Sequence, residues 1–214
     1  MARGCVAEYG GPMCALKHIP AIVLAAGQSS RMRGADKLMQ NVDGEPLIRR
    51  QCRIARQVCE RVLVALPPAP HDRYTAISGL DVTPVPVADA AEGMGASLRT
   101  AFAALPKTAR AALLLLGDLP DLTQDDLNTV IQAVDLNSET LIWRGTTSDG
   151  RDGHPIIFAK PLFTQFAKLT GDHGGQSIVK SAGHRVARIA LQGNRARNDL
   201  DTPEDWANWR ALRD

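Results

Sequence analysis

Short apolar runs alternate with amphipathic stretches along most of this chain. Residues 19–25, 61–66 and 111–117 are apolar runs of strand length that lead toward Gly or Pro, the pattern of buried strands feeding loops. The run at 111–117 is uninterrupted, which predicts a strand covered on both faces. Residues 82–87 form a further strand candidate, made irregular by Pro84 and Pro86. Between these runs, residues 46–60, 96–105 and 123–134 carry helical spacing. Pro46 suits a first helical turn, and Thr123 with Asp125 and Asp126 behind it predicts an N-cap followed by acids.

Strands alternating with helices imply right-handed crossovers and a mostly parallel sheet. Beyond Thr140 the pattern changes. Residues 141–143 and 155–158 are expected to pair as a hairpin-like insertion across the Gly/Asp-rich segment 145–153, with a last strand at 186–191. A closing helix starts at Pro203 with Thr202 as its N-cap. The expected fold is α/β, with a mostly parallel central sheet, a small antiparallel insertion and one domain over residues 19–214.

Composition excludes partners more than it suggests them. With 25 Lys+Arg against 23 Asp+Glu in 214 residues, the net charge of +2 gives no electrostatic reason to expect nucleic acid. No apolar stretch approaches the roughly 18 residues of a membrane span, so no membrane partner is expected. The four cysteines lack metal or redox spacing. Cys52 and Cys59 share a helical stripe with Ile48 and Ala55 and read as buried thiols. Residues 1–18 are Gly-containing, aperiodic and without the charged start and apolar block of a secretory signal. They read as a disordered leader, or as sequence ahead of a start at Met13. The expected setting is cytoplasmic, with reduced thiols.

Two segments carry candidate chemistry. Leu24-Ala-Ala-Gly27 follows the first strand and continues to Arg31 and Lys37. In an open parallel sheet, ligands bind beyond the carboxyl ends of the strands. The small residues Ala25, Ala26 and Gly27 let backbone N–H groups approach phosphate oxygens, while Arg31 and Lys37 supply positive charge. The spacing is neither a P-loop nor a dinucleotide loop; the competing reading is an ordinary Gly/Ser turn with two solvated cations. Gly117-Asp118-Leu119-Pro120 closes the most apolar strand, which places Asp118 on the same rim. Magnesium takes one or two carboxylates together with substrate phosphates, so Asp118 is a candidate ligand; alternatively it is a turn-forming Asp.

The order of Leu24-Ala-Ala-Gly27 with Arg31, Lys37, Gly117-Asp118-Leu119-Pro120, Gly153-His154-Pro155 and the stretch from Asp199 to Asp205 resembles the molybdenum cofactor nucleotidyltransferases. Among these it is most similar to the cytidylyltransferase branch, within the wider nucleotide-diphospho-sugar transferase-like superfamily. The resemblance covers about Pro20 to Trp209 and implies a three-layer, Rossmann-like α/β/α sandwich. It further implies that Leu24, Ala25, Ala26, Gly27, Arg31 and Lys37 bind the nucleotide, with Gly93, Gly95, Ser97 and Leu98 around the base. It assigns the acceptor side to Gly153, His154, Pro155 and Asn198, the metal to Asp118 with Asp199 or Asp201, and catalysis to Arg31, Lys37 and Asp118. Three alternatives stay open: Ser97 as a helix N-cap, His154 as a structural turn residue, and Asp201 with Thr202 as caps of the last helix. The guanylyltransferase branch has Gly where this chain has Ala26, so the extra methyl implies CTP, a preference worth about 1–3 kcal/mol. The chain departs from the family pattern by placing Arg33 before Gly34, and by having Gln176 near the place where the family often carries Arg.

The implied reaction joins a molybdopterin phosphate to the α-phosphorus of CTP, with magnesium, and releases pyrophosphate. The downstream partner implied is a molybdenum hydroxylase or its maturation factor. A phosphate oxyanion is already ionised at neutral pH, so no protein base is required, and alignment with charge neutralisation supplies the catalysis. The alternatives are a guanylyltransferase, a sugar- or alcohol-phosphate nucleotidyltransferase, and a non-catalytic carrier of a nucleotide-bearing cofactor.

Overall fold

The computed structural model describes residues 19–172 and 174–213. The leader expected at 1–18 lies outside them, as does His173. The chain runs through β1 (Ala21–Leu24), a ribbon of β2 (Asn41–Val42) and β3 (Glu45–Pro46), α1 (Leu47–Val58), β4 (Val62–Leu66), α2 (Asp72–Ala76), β5 (Thr83–Pro86) and α3 (Met94–Ala103). It continues with β6 (Ala111–Leu116), α4 (Gln124–Gln132), β7 (Ile142–Thr146), β8 (Asp152–Ala159), α5 (Phe163–Phe166), α6 (Gln176–Ala182), β9 (Val186–Ala190) and α7 (Pro203–Ala211).

The main sheet has seven strands in the order β5-β4-β1-β6-β8-β7-β9. All neighbouring pairs are parallel except those of β8, which is antiparallel to both β6 and β7. The expected hairpin therefore forms, but it is built into the main sheet and not set apart as an insertion. The separate antiparallel element is the short β2–β3 ribbon.

Side chains alternate to opposite faces of a strand, and β6 shows the result. Leu113 and Leu115 enter a core with Val23, Ile48 and Trp206, whereas Ala112 and Leu114 face Ile22, Phe102 and Phe166. Both faces are thus covered by helices, as an uninterrupted apolar strand requires. Each such leucine, withdrawn from water, contributes about 1.5–3 kcal/mol.

Helix ends follow the sequence signals in two cases and depart in one. Thr123 and Asp126 form a reciprocal capping box at α4, and Thr202 and Asp205 form another at α7. Pro46 does not occupy the first turn. It stands just before α1 with ψ at 139° and pairs with Asn41 in the ribbon. Cys52 and Cys59 are both buried and free, and burial pushes both thiols up to about 12. Among the described residues no helix is long and apolar enough to cross a membrane.

Candidate active site

The rim where the parallel strands end is assembled by backbone contacts. Ala25 extends the ladder by donating to the Ala65 carbonyl at 2.9 Å, after which the chain leaves the sheet. The loop turns through Ser29 and Arg33, both in the left-handed region, with the Met32 side chain buried between them. At the end of β6, Gly117 donates to the Leu24 carbonyl at 3.0 Å. A Cβ at Gly117 would lie 2.9 Å from that same oxygen, so glycine is what lets Asp118 come this close to the loop.

Four charged side chains converge there. Lys37 Nζ lies 2.6 Å from Asp118 Oδ2 and 2.6 Å from Asp201 Oδ1, and Arg31 forms an ion pair with the other oxygen of Asp201. Desolvation lowers the Lys37 pKa, but Asp118 and Asp201 outweigh it, and the net shift is upward. Asp201 is delivered by the segment ahead of α7, where Leu200 donates to the Asp118 carbonyl at 3.3 Å. The helix cap is Thr202, so the Asp201 carboxylate is left for the two cations. Asp199 stands exposed beside this group. Desolvation, then repulsion from Asp118 and Asp201, raises its carboxyl above the usual range.

Asp118 Oδ1 is buried and has no hydrogen-bond partner. That vacant carboxylate oxygen suits a hard cation. Among the described residues no group of three or more His, Cys, Asp or Glu side chains is arranged to hold a metal. An ion bound at Asp118 therefore needs ligands from a substrate, as magnesium with phosphates does.

Two adjoining cavities open on this rim. The first, about 470 Å³, includes Leu24, Ala25, Ala26 and Gly27, the four charged residues, and Gly93 and Ser97 on its far wall. The second, about 600 Å³, is lined by Leu98, Arg144, His154, Phe158 and Lys180. Leu24, Met94, Leu116 and Asp172 border both. Ser97 lies inside α3, whose N-cap is Gly93, so the N-cap reading of Ser97 is excluded.

Several expected contacts are placed elsewhere. The Gly95 N–H donates to the Gly171 carbonyl at 2.8 Å, which removes it from the first cavity. Leu98 belongs to the second cavity, not the first. Gly153 packs on the Ala196 backbone, where a Cβ would approach Ala196 O at 2.3 Å, and Pro155 is buried beside it. The Asn198 amide is committed to Asp121, away from either cavity. Arg33 pairs with Glu204 at 2.6 Å and takes no part in the rim.

His154 does line the second cavity, as a neutral ring. Burial first, then Arg144, pulls its pKa down to about 4, with Asp118 opposing. Its Nδ1 and the Arg144 Nε are buried polar atoms without partners. Sequence reasoning missed Arg144 and the buried Arg73 behind the loop, neither of which lies in a recognisable motif, and it gave no role to the half-buried Asp36 although that residue lies inside the Leu24–Lys37 segment.

A sheet of this order with charged residues converging on its rim is the nucleotidyltransferase fold. The crystal structure of Rv0371c from Mycobacterium tuberculosis H37Rv superposes with a TM-score of 0.74 at 29% identity, covering 92% of this chain and 99% of that one. A complex of Rv0371c with manganese superposes at 0.71 with 28% identity, covering 89% and 97% of the two chains. Residues 21–186 match the MobA-like NTP transferase domain. The chain belongs to that family. A "Probable molybdenum cofactor guanylyltransferase" of Synechococcus elongatus is 35% identical over 119 residues, 56% of this chain and 60% of that protein. The chain thus matches only about three fifths of that curated relative's length.

Proposed function

We propose that this protein transfers CMP from CTP to the phosphate of molybdopterin, with or without bound molybdate, and releases pyrophosphate. The observation that carries the reading is the meeting of Arg31, Lys37, Asp118 and Asp201 at a cavity walled by the Leu24–Gly27 segment. The adjoining cavity supports it, because a transfer reaction needs two reactants side by side.

In this reading the first cavity holds the nucleoside triphosphate and the second the acceptor. An acceptor phosphate oxygen forms a bond to the α-phosphorus, the bond to the β-phosphate bridging oxygen breaks, and pyrophosphate leaves. The attacking oxygen is already ionised, so no residue has to remove a proton. Arg31 and Lys37 offset charge on the α-phosphate and on the leaving group. Magnesium would be held by Asp118, with Asp199 or Asp201, and when bound supplies positive charge beside the phosphates. His154, being neutral, offers the acceptor a hydrogen bond and no charge. A cytoplasmic setting, and delivery of the product to a molybdenum hydroxylase or its maturation factor, belong to the same proposal.

A second reading, transfer of GMP from GTP, is favoured by the name of the Synechococcus relative. Ala26, which lines the first cavity where the guanylyltransferase branch has Gly, supports CTP. The deciding experiment measures pyrophosphate release with CTP or GTP, with and without molybdopterin and magnesium. Release only with CTP, acceptor and metal together is expected. Equal release with GTP overturns the cytidylyl assignment, and nucleotide binding without any release replaces the transferase by a carrier.

A further inference from the structure

The loop 26–30 is a thin wall. On one side lies the first cavity, and on the other a separate cavity of about 600 Å³ that Arg73, Asp36 and His71 also line. Beyond the buried Ala26, residues Gly27, Gln28 and Ser30 are exposed, so packing does little to fix this part of the loop.

Arg73 crosses that gap. It comes from α2, is only 1% exposed, and sits 46 residues beyond Gly27 in sequence. Its Nε and one terminal nitrogen grip both oxygens of Asp36 at 2.7 Å each. The other terminal nitrogen donates to the carbonyls of Ala25 at 2.6 Å and Gly27 at 2.8 Å, while the nitrogen that holds Asp36 also makes a weaker bond of 3.2 Å to Ser29 Oγ. A guanidinium has five N–H donors in a rigid fork, and here every nitrogen is engaged.

The trans peptide unit sets N–H opposite to C=O. Turning the Ala25 and Gly27 carbonyls to Arg73 therefore turns the N–H groups of Ala26 and Gln28 away from it, to the side of the first cavity. Neither N–H donates to another described residue. Asp36, held by the same fork, precedes Lys37, so the clamp also fixes where that lysine starts.

We propose that Arg73 is the positioning residue of the nucleotide loop: from behind, it aims the Ala26 and Gln28 amides at the anionic part of a nucleoside triphosphate. Arg73 touches no reactant, so it acts through the loop. The nucleotide part of this inference rests on the function proposed above.

The test compares wild type with Arg73→Lys, which keeps the charge but loses the fork. Backbone order over residues 26–31 is followed without nucleotide by amide nitrogen-15 relaxation. Binding of CTP and of GTP with magnesium is measured by calorimetry, and KM for the acceptor is measured separately. Motional amplitude should rise in that loop above the rest of the chain, and triphosphate affinity should fall by about tenfold, while acceptor KM stays near wild type. Unchanged loop order, or unchanged affinity in a variant whose wild type binds, overturns the proposal. If Arg73→Lys does not fold, Asp36→Asn is read by the same measurements and the same criteria. If wild type binds neither triphosphate, the proposed function fails, and the relaxation data still decide whether Arg73 holds the loop.

Discussion

Lys37 and Asp118 stand 81 positions apart in the chain and meet at 2.6 Å. Parallel pairing of β1 with β6 carries both to one rim, and the missing side chain of Gly117 closes the remaining distance. Replacing Asp118 by Asn keeps the shape and removes the charge. Pyrophosphate release should drop by roughly a hundredfold or more, the scale of losing one preorganised electrostatic group. Melting temperature should move little, because Asp201 still answers Lys37. Normal turnover in the variant would end the metal-ligand assignment.

Nucleotide choice is predicted to respond to one methyl group. Ala26→Gly removes that methyl from a residue lining the first cavity and should raise kcat/KM for GTP relative to CTP by about tenfold, the ceiling expected for so small a change being near a hundredfold. Competition between the two triphosphates in one vessel reads the ratio directly. A ratio that does not move assigns base choice to other residues.

Gly93 is expected to tolerate no side chain. Its φ is +119°, and a Cβ would lie 2.2 Å from Asp172 Oδ1 and 2.9 Å from the Gly171 carbonyl. Gly93→Ala should cost about 1–3 kcal/mol, through backbone strain and displacement of the 170–172 segment from the start of α3. Chemical denaturation gives the energy, and weaker triphosphate binding should accompany it. A variant of wild-type stability would show that the segment shifts freely.

Acid should weaken the protein partly through His154. Its folded pKa, about 4, lies below the ordinary 6.5 because of burial and then Arg144, with Asp118 pulling the other way. Between those values the unfolded chain holds a proton that the folded chain refuses. Stability is therefore level above pH 6.5 and falls as pH drops toward 4, by an amount on the order of a few kcal/mol. Urea midpoints from pH 7 to pH 4 should fall less steeply for His154→Gln than for wild type. Parallel curves would remove His154 from the account.

The strands of the main sheet, the N-caps Thr123 and Thr202 and the rim position of Asp118 were legible because each depends on a few adjacent residues, whereas the two-residue strands β2 and β3 are too short to show a period. A buried parallel strand reads as an apolar run, and a cap reads as Thr followed by an acid three positions on. The hairpin was legible too, but not its incorporation into the main sheet, since strand order depends on partners far away in sequence. Helices α2, α5 and α6 are too short to show a helical period. Arg73 was invisible for a different reason. Its meaning lies in carbonyl groups 46 and 48 residues distant, and any residue type contributes a carbonyl. Asn198 misled because its motif reaches the rim while its own side chain turns back to Asp121.

The reversed strand has an architectural consequence. Because β8 begins at the rim where its neighbours finish, His154 is offered by the start of a strand, while Leu24 and Asp118 come from the ends of others. The β7–β8 turn at residues 147–151 therefore belongs to the same edge of the molecule as the second cavity and is separate in sequence from every piece of the first. Lengthening or recomposing that turn would change the edge from which β8 sets out toward His154 while leaving the Leu24–Gly27 segment, Lys37 and Asp118 as they are.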